Sequence, residues 1–335
     1  MLDYAILSNI LDRFGLTFSE VTNFYDTSHG ENDQRFNYIL DENYVLKIHS
    51  PNSLWEERLQ EISRLIERYR AIGVYCPRMI PTLGGPLSCP WEIEGRTYTC
   101  FVEEYAIYPV CRGEIKPPRE EVIRHLGVLA AAYTDVDLSP NYSMWSIIDL
   151  CPLDAELGFD EKQDNANDLI KTLREVGLPG LARQVSDFND HLREVIVRDY
   201  KALPRCVYQG DLNPWNELHS DGHFAGLIDF NLSGTDVNIN IFLNETDSYL
   251  DQDCFDVLSV SEIIDKNDAE QEALLSIIYE NYALNELEKR LLPYYKWIVD
   301  LFQHPNSSAM CNWLKDDTRR DKCTELITAL INKPL

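Results

Sequence analysis

Hydrophobic positions change their period along this chain, and the change outlines its architecture. Residues 4–15 (YAILSNILDRFG) carry apolar side chains at helical spacing and stop at Gly15, which predicts a short helix. The runs VTNFY at 21–25, RFNYIL at 35–40 and YVLKIH at 44–49 are β-like. A DEN turn separates the last two, so they predict a hairpin. A helix follows over 54–72, closed by Gly73 and then Pro77. WEIEG at 91–95 and TYTCFVEEY at 97–105 are again β-like. The first hundred residues thus predict a small, mostly antiparallel sheet with one helix inside its order.

Beyond Tyr105 the period turns helical. Helices are predicted over 119–133, 164–176, 179–200, 265–290, 291–302 and 320–332. The one strong β-like patch in this half is 206–230. A β-rich segment followed by a helical one is an α+β arrangement in two lobes. We place the N-lobe at 1–105 and the C-lobe at 106–335, joined just after Tyr105 in the Pro-rich stretch YAIYPVCRGEIKPPR. There is no internal repeat and no low-complexity segment.

Charge narrows the partners. With 56 Asp and Glu against 30 Lys and Arg, the chain carries a formal net charge of −26. Nucleic acid and anionic membrane surfaces need clustered Lys and Arg, so neither is an expected partner. A cationic small molecule would be attracted. Solubility is the plainer reason for such acidity. The nine Cys are odd in number and lack C-x-x-C pairs, which points to reduced thiols and a cytoplasmic protein. The N-terminus has early acids and no basic stretch before an apolar core, so no signal peptide is expected. No run reaches the length of a spanning helix.

The chemistry gathers in VYQGDLNPWNELHSDGHFAGLIDF, residues 207–230. CVYQ at 206–209 predicts a short strand, and Gly210 a tight turn that delivers Asp211 on a loop. Asn216 follows five residues on, past Pro214. HFAGLIDF predicts a second strand, and a hairpin between the two would return Asp229 beside Asp211 and Asn216. Phosphoryl transfer needs such a set: one carboxylate for the attacking hydroxyl, an amide and a second carboxylate for Mg2+.

QGDLNPWN at 209–216 and LIDF at 227–230 resemble the H-G-D-x-x-x-x-N and I-D-[FW] motifs of the aminoglycoside phosphotransferase and choline-kinase-like family, whose fold is similar to protein kinases. The resemblance implies that Asp211 is the catalytic base and that Asn216 and Asp229 are Mg2+ ligands. It implies that Lys47, in YVLKI, pairs with the phosphates of ATP. SHGEND at 28–33 resembles the loop over the phosphates, with Gly30 allowing close backbone approach and Asn32 at a family-like position. Glu61 on the following helix would pair with Lys47, with Glu57 as the competing candidate. FVEEYA at 101–106 resembles the interlobe hinge, where backbone groups of Glu104 and Ala106 would bind adenine. Two departures stand out. Gln209 replaces the family's His before Gly-Asp; Asn213 stands where the family often has His, and GTDVNINIFLNE at 234–245 replaces a downstream G-D-P-x-x-D-L-A segment, with Asp236 matching the Asp after Gly.

The expectation is an ATP-dependent kinase that phosphorylates a hydroxyl of an aminoglycoside, choline, ethanolamine, amino sugar or similar small molecule. The N-lobe would bind the nucleotide, and the C-lobe would carry catalysis and the substrate. The alternative is an idle kinase-like binding protein, favoured by Gln209 and the altered 234–245. Of the acidic segments 247–256 and 316–325, the first would either line a pocket for an amino-bearing alcohol or form a solvated loop. Tyr249, Tyr279, Tyr282, Tyr294, Tyr295 and Trp297 would either be core or cage a cation. The seven His show no metal-ligand spacing.

Overall fold

The computed structural model describes residues 2–51, 54–112, 116–151, 158–247, 250 and 252–333. Tyr249, parts of 247–256 and residues 113–115 of the expected joint lie outside them. The chain divides into two compact units: Met1–Pro117 with Asp211–Asn231, and Pro118–Gly210 with Leu232–Leu335.

The first unit begins with α1 (Tyr4–Leu11), capped by the Asp3 carboxylate accepting from the Ala5 N–H. Then come β1 (Val21–Asp26), β2 (Arg35–Leu40), β3 (Tyr44–His49), α2 (Glu56–Ala71), β4 (Met79–Ile80), β5 (Ser88–Ile93) and β6 (Arg96–Glu104). The strands form one antiparallel sheet in the order β1-β2-β3-β6-β4, with β5 also on β6. Side chains alternate across it. Tyr38, Leu40, Leu46, Ile48, Tyr98, Cys100 and Val102 point to one face and bury Leu7, Ile10 and Leu11 of α1 against it. Full burial of each such aliphatic chain contributes about 1.5–3 kcal/mol. That packing leaves the opposite face to the intervening residues, Lys47 among them.

The second unit is helical: α3 (Arg119–Tyr133), α4 (Glu161–Glu175) and α5 (Pro179–Asp199) come before the strand β7 (Arg205–Tyr208). The chain then returns to the first unit for the hairpin β8 (Glu217–Ser220) and β9 (His223–Leu227). Back in the second unit follow β10 (Gly234–Val237), α6 (Asn238–Thr246), α7 (Gln252–Val257), α8 (Val260–Tyr279), α9 (Glu286–Phe302), α10 (His304–Lys315) and α11 (Arg320–Ile331).

Three expectations change. The strand at 206–209 does not pair with HFAGLIDF. β7 pairs with β10, and β9 pairs with β8. The reason is the Asp221-Gly222 turn, whose φ values of 53° and 84° are both positive, as a two-residue hairpin turn demands. The helix expected over 265–290 ends at Tyr279, and a new one starts at Glu286. Asn285 and Glu288 form a capping box there, which periodicity alone does not reveal. α6, α7 and α10 are additional helices. α6 (NINIFLNET) is buried along its whole length, its Asn residues included, so no exposed polar face marks it.

The described cysteines form no disulfide. No helix of the described residues is long and apolar enough to cross a membrane.

Candidate active site

The first unit holds Lys47, Asp211, Asn216 and Asp229 together. Strand β9 is laid against the chain at Tyr75: the Tyr75 N–H donates to the Ala225 carbonyl (3.1 Å) and the Leu227 N–H to the Tyr75 carbonyl (2.9 Å). Gly226 makes this approach feasible, since a Cβ there would lie 2.0 Å from the Tyr75 oxygen.

Asp211 opens a tight polar loop. The Asn213 amide donates to one carboxylate oxygen (2.8 Å) and the Asn216 amide to the other (2.7 Å). The Asn216 amide also reaches the Asp211 carbonyl (3.0 Å). With its nitrogen so engaged, Asn216 presents its Oδ1 as the atom suited to a hard cation. The Ile228 N–H donates to the Asn216 carbonyl (2.9 Å), which ties the loop to the strand end that carries Asp229. Burial pushes the Asp211 carboxyl above its ordinary range, and the Asp229 charge adds to it. The Asn213 and Asn216 hydrogen bonds pull the other way without cancelling the shift.

Asp229 sits in the left-handed region, with φ of 55°. Such backbone strain in a non-glycine residue gathers at functional sites. The Asn231 N–H donates to its Oδ1 (3.3 Å). Helix α2 braces the same turn. Tyr69 packs edge-on against Phe230, with ring centroids 5.6 Å apart, and Arg58 donates to the Asn231 carbonyl (3.2 Å).

Lys47 meets the Glu103 carboxylate at 2.8 Å. Burial works against its ammonium, but the Glu103 and Asp229 charges outweigh that cost and hold its pKa above the ordinary lysine value. The expected Lys47–Glu61 pair is not formed. Glu61 accepts from Arg58 instead (3.2 Å). A carboxylate one side-chain alternation along the adjoining strand reaches Lys47 within the sheet, whereas Glu61 has a guanidinium three residues back on its own helix. The other candidate, Glu57, lies in the first turn of α2.

The remaining candidates are placed as follows. The 28–33 loop is pinned on β2, with the Thr27 N–H on the Arg35 carbonyl and the His29 N–H on the Asp33 carbonyl (2.9 Å each). Gly30 is exposed, with φ of 125° and open space where a Cβ would stand. Asn32 is exposed beside it. No described hydrogen bond or ion pair joins Gly30 or Asn32 to Lys47 or Asp211. At the end of β6 the Glu104 N–H donates to the Arg78 carbonyl (2.8 Å), and its carboxylate accepts from the Arg78 N–H (2.9 Å). Glu104 ends β6 opposite Tyr44, and two residues on, outside the strand, the Ala106 N–H has no hydrogen-bond partner among the described residues.

Sequence reasoning passed over Glu103, and it met Asn213 only as a place where the family often has His. Asn213 lies inside the D-x-x-x-x-N motif, so its position was a signal. Glu103 needs the register Lys47↔Phe101, which puts it two residues along on the lysine's face.

No group of three or more His, Cys, Asp or Glu among the described residues forms a metal cluster. One amide oxygen and one carboxylate suit Mg2+ that takes its other ligands from phosphates and water.

In the second unit Tyr282, Tyr295 and Trp297 are buried, so these aromatics are core. The two acidic segments neutralise themselves in part: Arg319 bridges Asp256 (2.6 Å) and Asp316 (2.9 Å). Gln209 is fully buried. Asp236 is buried too. It accepts from Ser143 Oγ (2.5 Å), the Val237 N–H (2.7 Å) and Asn240 Nδ2 (3.0 and 3.1 Å).

Residues 28–237 match the model of the phosphotransferase enzyme family, APH. No curated protein matches the chain by sequence. Among solved structures, the chain is similar to the microcompartment-associated aminopropanol kinase (TM-score 0.51, 12% identity, 98% of this chain and 95% of that one). It is also similar to amicoumacin kinase hAmiN in complex with AMP-PNP, Ca2+ and Ami (TM-score 0.53, 11% identity, 99% and 94%). At these identities the likeness is one of fold: an α+β, protein-kinase-like fold with an antiparallel N-lobe sheet and a helical C-lobe.

Proposed function

Because the chain belongs to the phosphotransferase enzyme family, and so is a small-molecule phosphotransferase, we propose that it transfers the γ-phosphoryl group of ATP to a hydroxyl of an amino-bearing alcohol. The observation that carries this reading is the hydrogen-bonded Asp211–Asn216 pair in one unit with Asp229 and Lys47.

Asp211 takes the proton of the acceptor hydroxyl as its oxygen bonds to the γ-phosphorus and the bond to ADP breaks. A carboxylate raised above its ordinary range is a better base near neutral pH. Asn213 and Asn216 fix its two oxygens, so little reorganisation is needed at the moment of reaction. Asn216 Oδ1 and the Asp229 carboxylate would hold Mg2+, which when bound neutralises phosphate charge. Lys47 holds phosphate oxygens by charge. The Glu104 carbonyl at the end of β6 and the Ala106 N–H beyond it suit the edge of an adenine, which offers one donor and one acceptor there. Gly30 and Asn32 belong to the loop that would cover the phosphates. The net charge of −26 supports a cationic acceptor by raising its local concentration.

The test is ADP release from Mg·ATP across aminoglycosides, choline, ethanolamine, amino sugars and neutral sugars. Turnover with an amino-bearing alcohol and none with neutral sugars is expected. Turnover confined to neutral sugars would remove the amine from the reading, and protein that binds no Mg·ATP would overturn the reading itself.

A further inference from the structure

Lys47 needs a fixed counter-charge, and the structure supplies one on a strand where the sequence pointed to a helix. We propose that Glu103 is the positioning residue that holds the Lys47 ammonium for the nucleotide's phosphates. This inference rests on the phosphotransferase reading above.

The two charged groups lie 2.8 Å apart, and their side chains are only 13% and 17% exposed. Their geometry is set by the sheet. β3 and β6 pair in antiparallel register over Tyr44–His49, with Lys47 opposite Phe101. Glu103, two residues along β6, is therefore on the lysine's face and within its reach. The Phe101 ring lies below the ammonium, 5.8 Å from its nitrogen, and narrows its range further.

The surrounding charges agree. His49, on the same face of β3, is 2% exposed, and neither ring nitrogen has a hydrogen-bond partner. Burial above all, then the Lys47 and Arg35 charges, push it down to about 3, so it stays neutral and does not compete for Glu103. Asp229 is the other carboxylate acting on Lys47. Glu61 is committed elsewhere: Arg58 bridges it (3.2 Å) to the Asn231 carbonyl (3.2 Å). Its charge serves the turn after Asp229. The lysine is thus aligned by the β3–β6 ladder, which ends at Glu104, with no helix required to swing inward.

The experiment compares Glu103→Gln, Glu103→Asp and Glu61→Gln in the whole chain. Lysine side chains are labelled with 13C, and Lys47→Arg assigns the Lys47 signal. The first readout is the Lys47 titration in nucleotide-free protein, which needs no turnover. Glu103→Gln is expected to lower the Lys47 pKa by about one unit or more, and Glu61→Gln to move it by less than about a third of that. The second readout is the kinetic split. Glu103→Gln raises KM for Mg·ATP about tenfold, with a smaller change in kcat, and Glu103→Asp recovers part of the loss. An unmoved Lys47 titration in Glu103→Gln, or an equal shift in Glu61→Gln, would overturn the proposal. A chain without turnover on any acceptor would defeat the functional reading, while the titration still decides the role of Glu103. Should Glu103→Gln fail to fold, Glu103→Asp carries the same comparison with a smaller shift.

Discussion

Residues 211–231 and 234–246 follow one another in the sequence and treat their carboxylates in opposite ways. Asp211 takes its side-chain hydrogen bonds from Asn213 and Asn216, both within five residues, and keeps partial exposure. Asp236 is 2% exposed and accepts from Ser143, distant in sequence, from Asn240 of α6 and from the adjoining Val237 N–H. The network around it continues: Asn240 also donates to the Trp145 carbonyl (2.7 Å), as does the buried Lys162 (3.3 Å). Burial raises both acids, Asp236 to about 6. The difference lies in what each partner set does. The first leaves a carboxylate aimed and reachable. The second surrounds one with donors until nothing is left for a ligand. A raised acid is therefore a clue to chemistry only where its carboxylate stays partly exposed.

The comparison breaks most sharply at Asp211. Asp211→Asn should lower turnover about 10³-fold or more, since base and proton acceptor vanish together. Mg·ATP affinity and melting temperature should hardly move, because the change also relieves repulsion with Asp229. Steady-state kinetics beside calorimetry reads both; a matching loss of stability would erase the contrast.

Asp236→Ala should do the reverse. It strands the Ser143 hydroxyl and the Val237 N–H and removes one of the Asn240 amide's two acceptors, at a cost of about 3 kcal/mol of stability. Turnover per folded molecule should stay within about twofold of the parent, a margin well below the effect of losing a general base. Urea unfolding gives the first number and active-site titration the second.

The smallest effect concerns pH. Burial, then the Asp300 charge, push Asp247 up to about 8, with Asn306 as its hydrogen-bond donor (2.8 Å). The folded value lies above the unfolded one of 3.8, so the folded chain holds this proton more tightly. Its contribution is fully present below about pH 4 and is lost as pH rises towards 8. Asp247→Asn should flatten that decline and gain about 1–2 kcal/mol at pH 8, after losing some attraction to Lys296. Unfolding free energies at pH 5 and pH 8 test it. A decline of the same slope in the variant would assign the proton elsewhere.

The sequence made the first sheet readable because its strands are amphipathic: RFNYIL and YVLKIH are β2 and β3 to the residue. The reach from Gly210 to Asp229 was readable as chemistry because polar residues interrupt apolar strands. Its pairing was not, since CVYQ has two possible neighbours and only the Asp221-Gly222 turn decides between them. The partner of Lys47 was hidden for a related reason. A helix acid at a plausible spacing competes with a strand acid, and only register separates Glu61 from Glu103. α6 was invisible because its Asn residues lower helix propensity in isolation, while burial supplies their partners.

The division of the chain has a consequence for its biogenesis. Residues 1–117 form a unit that is complete only with 211–231. During synthesis the sheet and α2 leave the ribosome first, yet the braces on Phe230 and Asn231 cannot form until all of 118–210 has followed. The nascent first unit must wait with its Tyr75 edge unpaired. A chain released before β8 would carry the sheet and α2 without the hairpin that seats on Tyr75, and such a fragment should be short-lived and a natural client of chaperones.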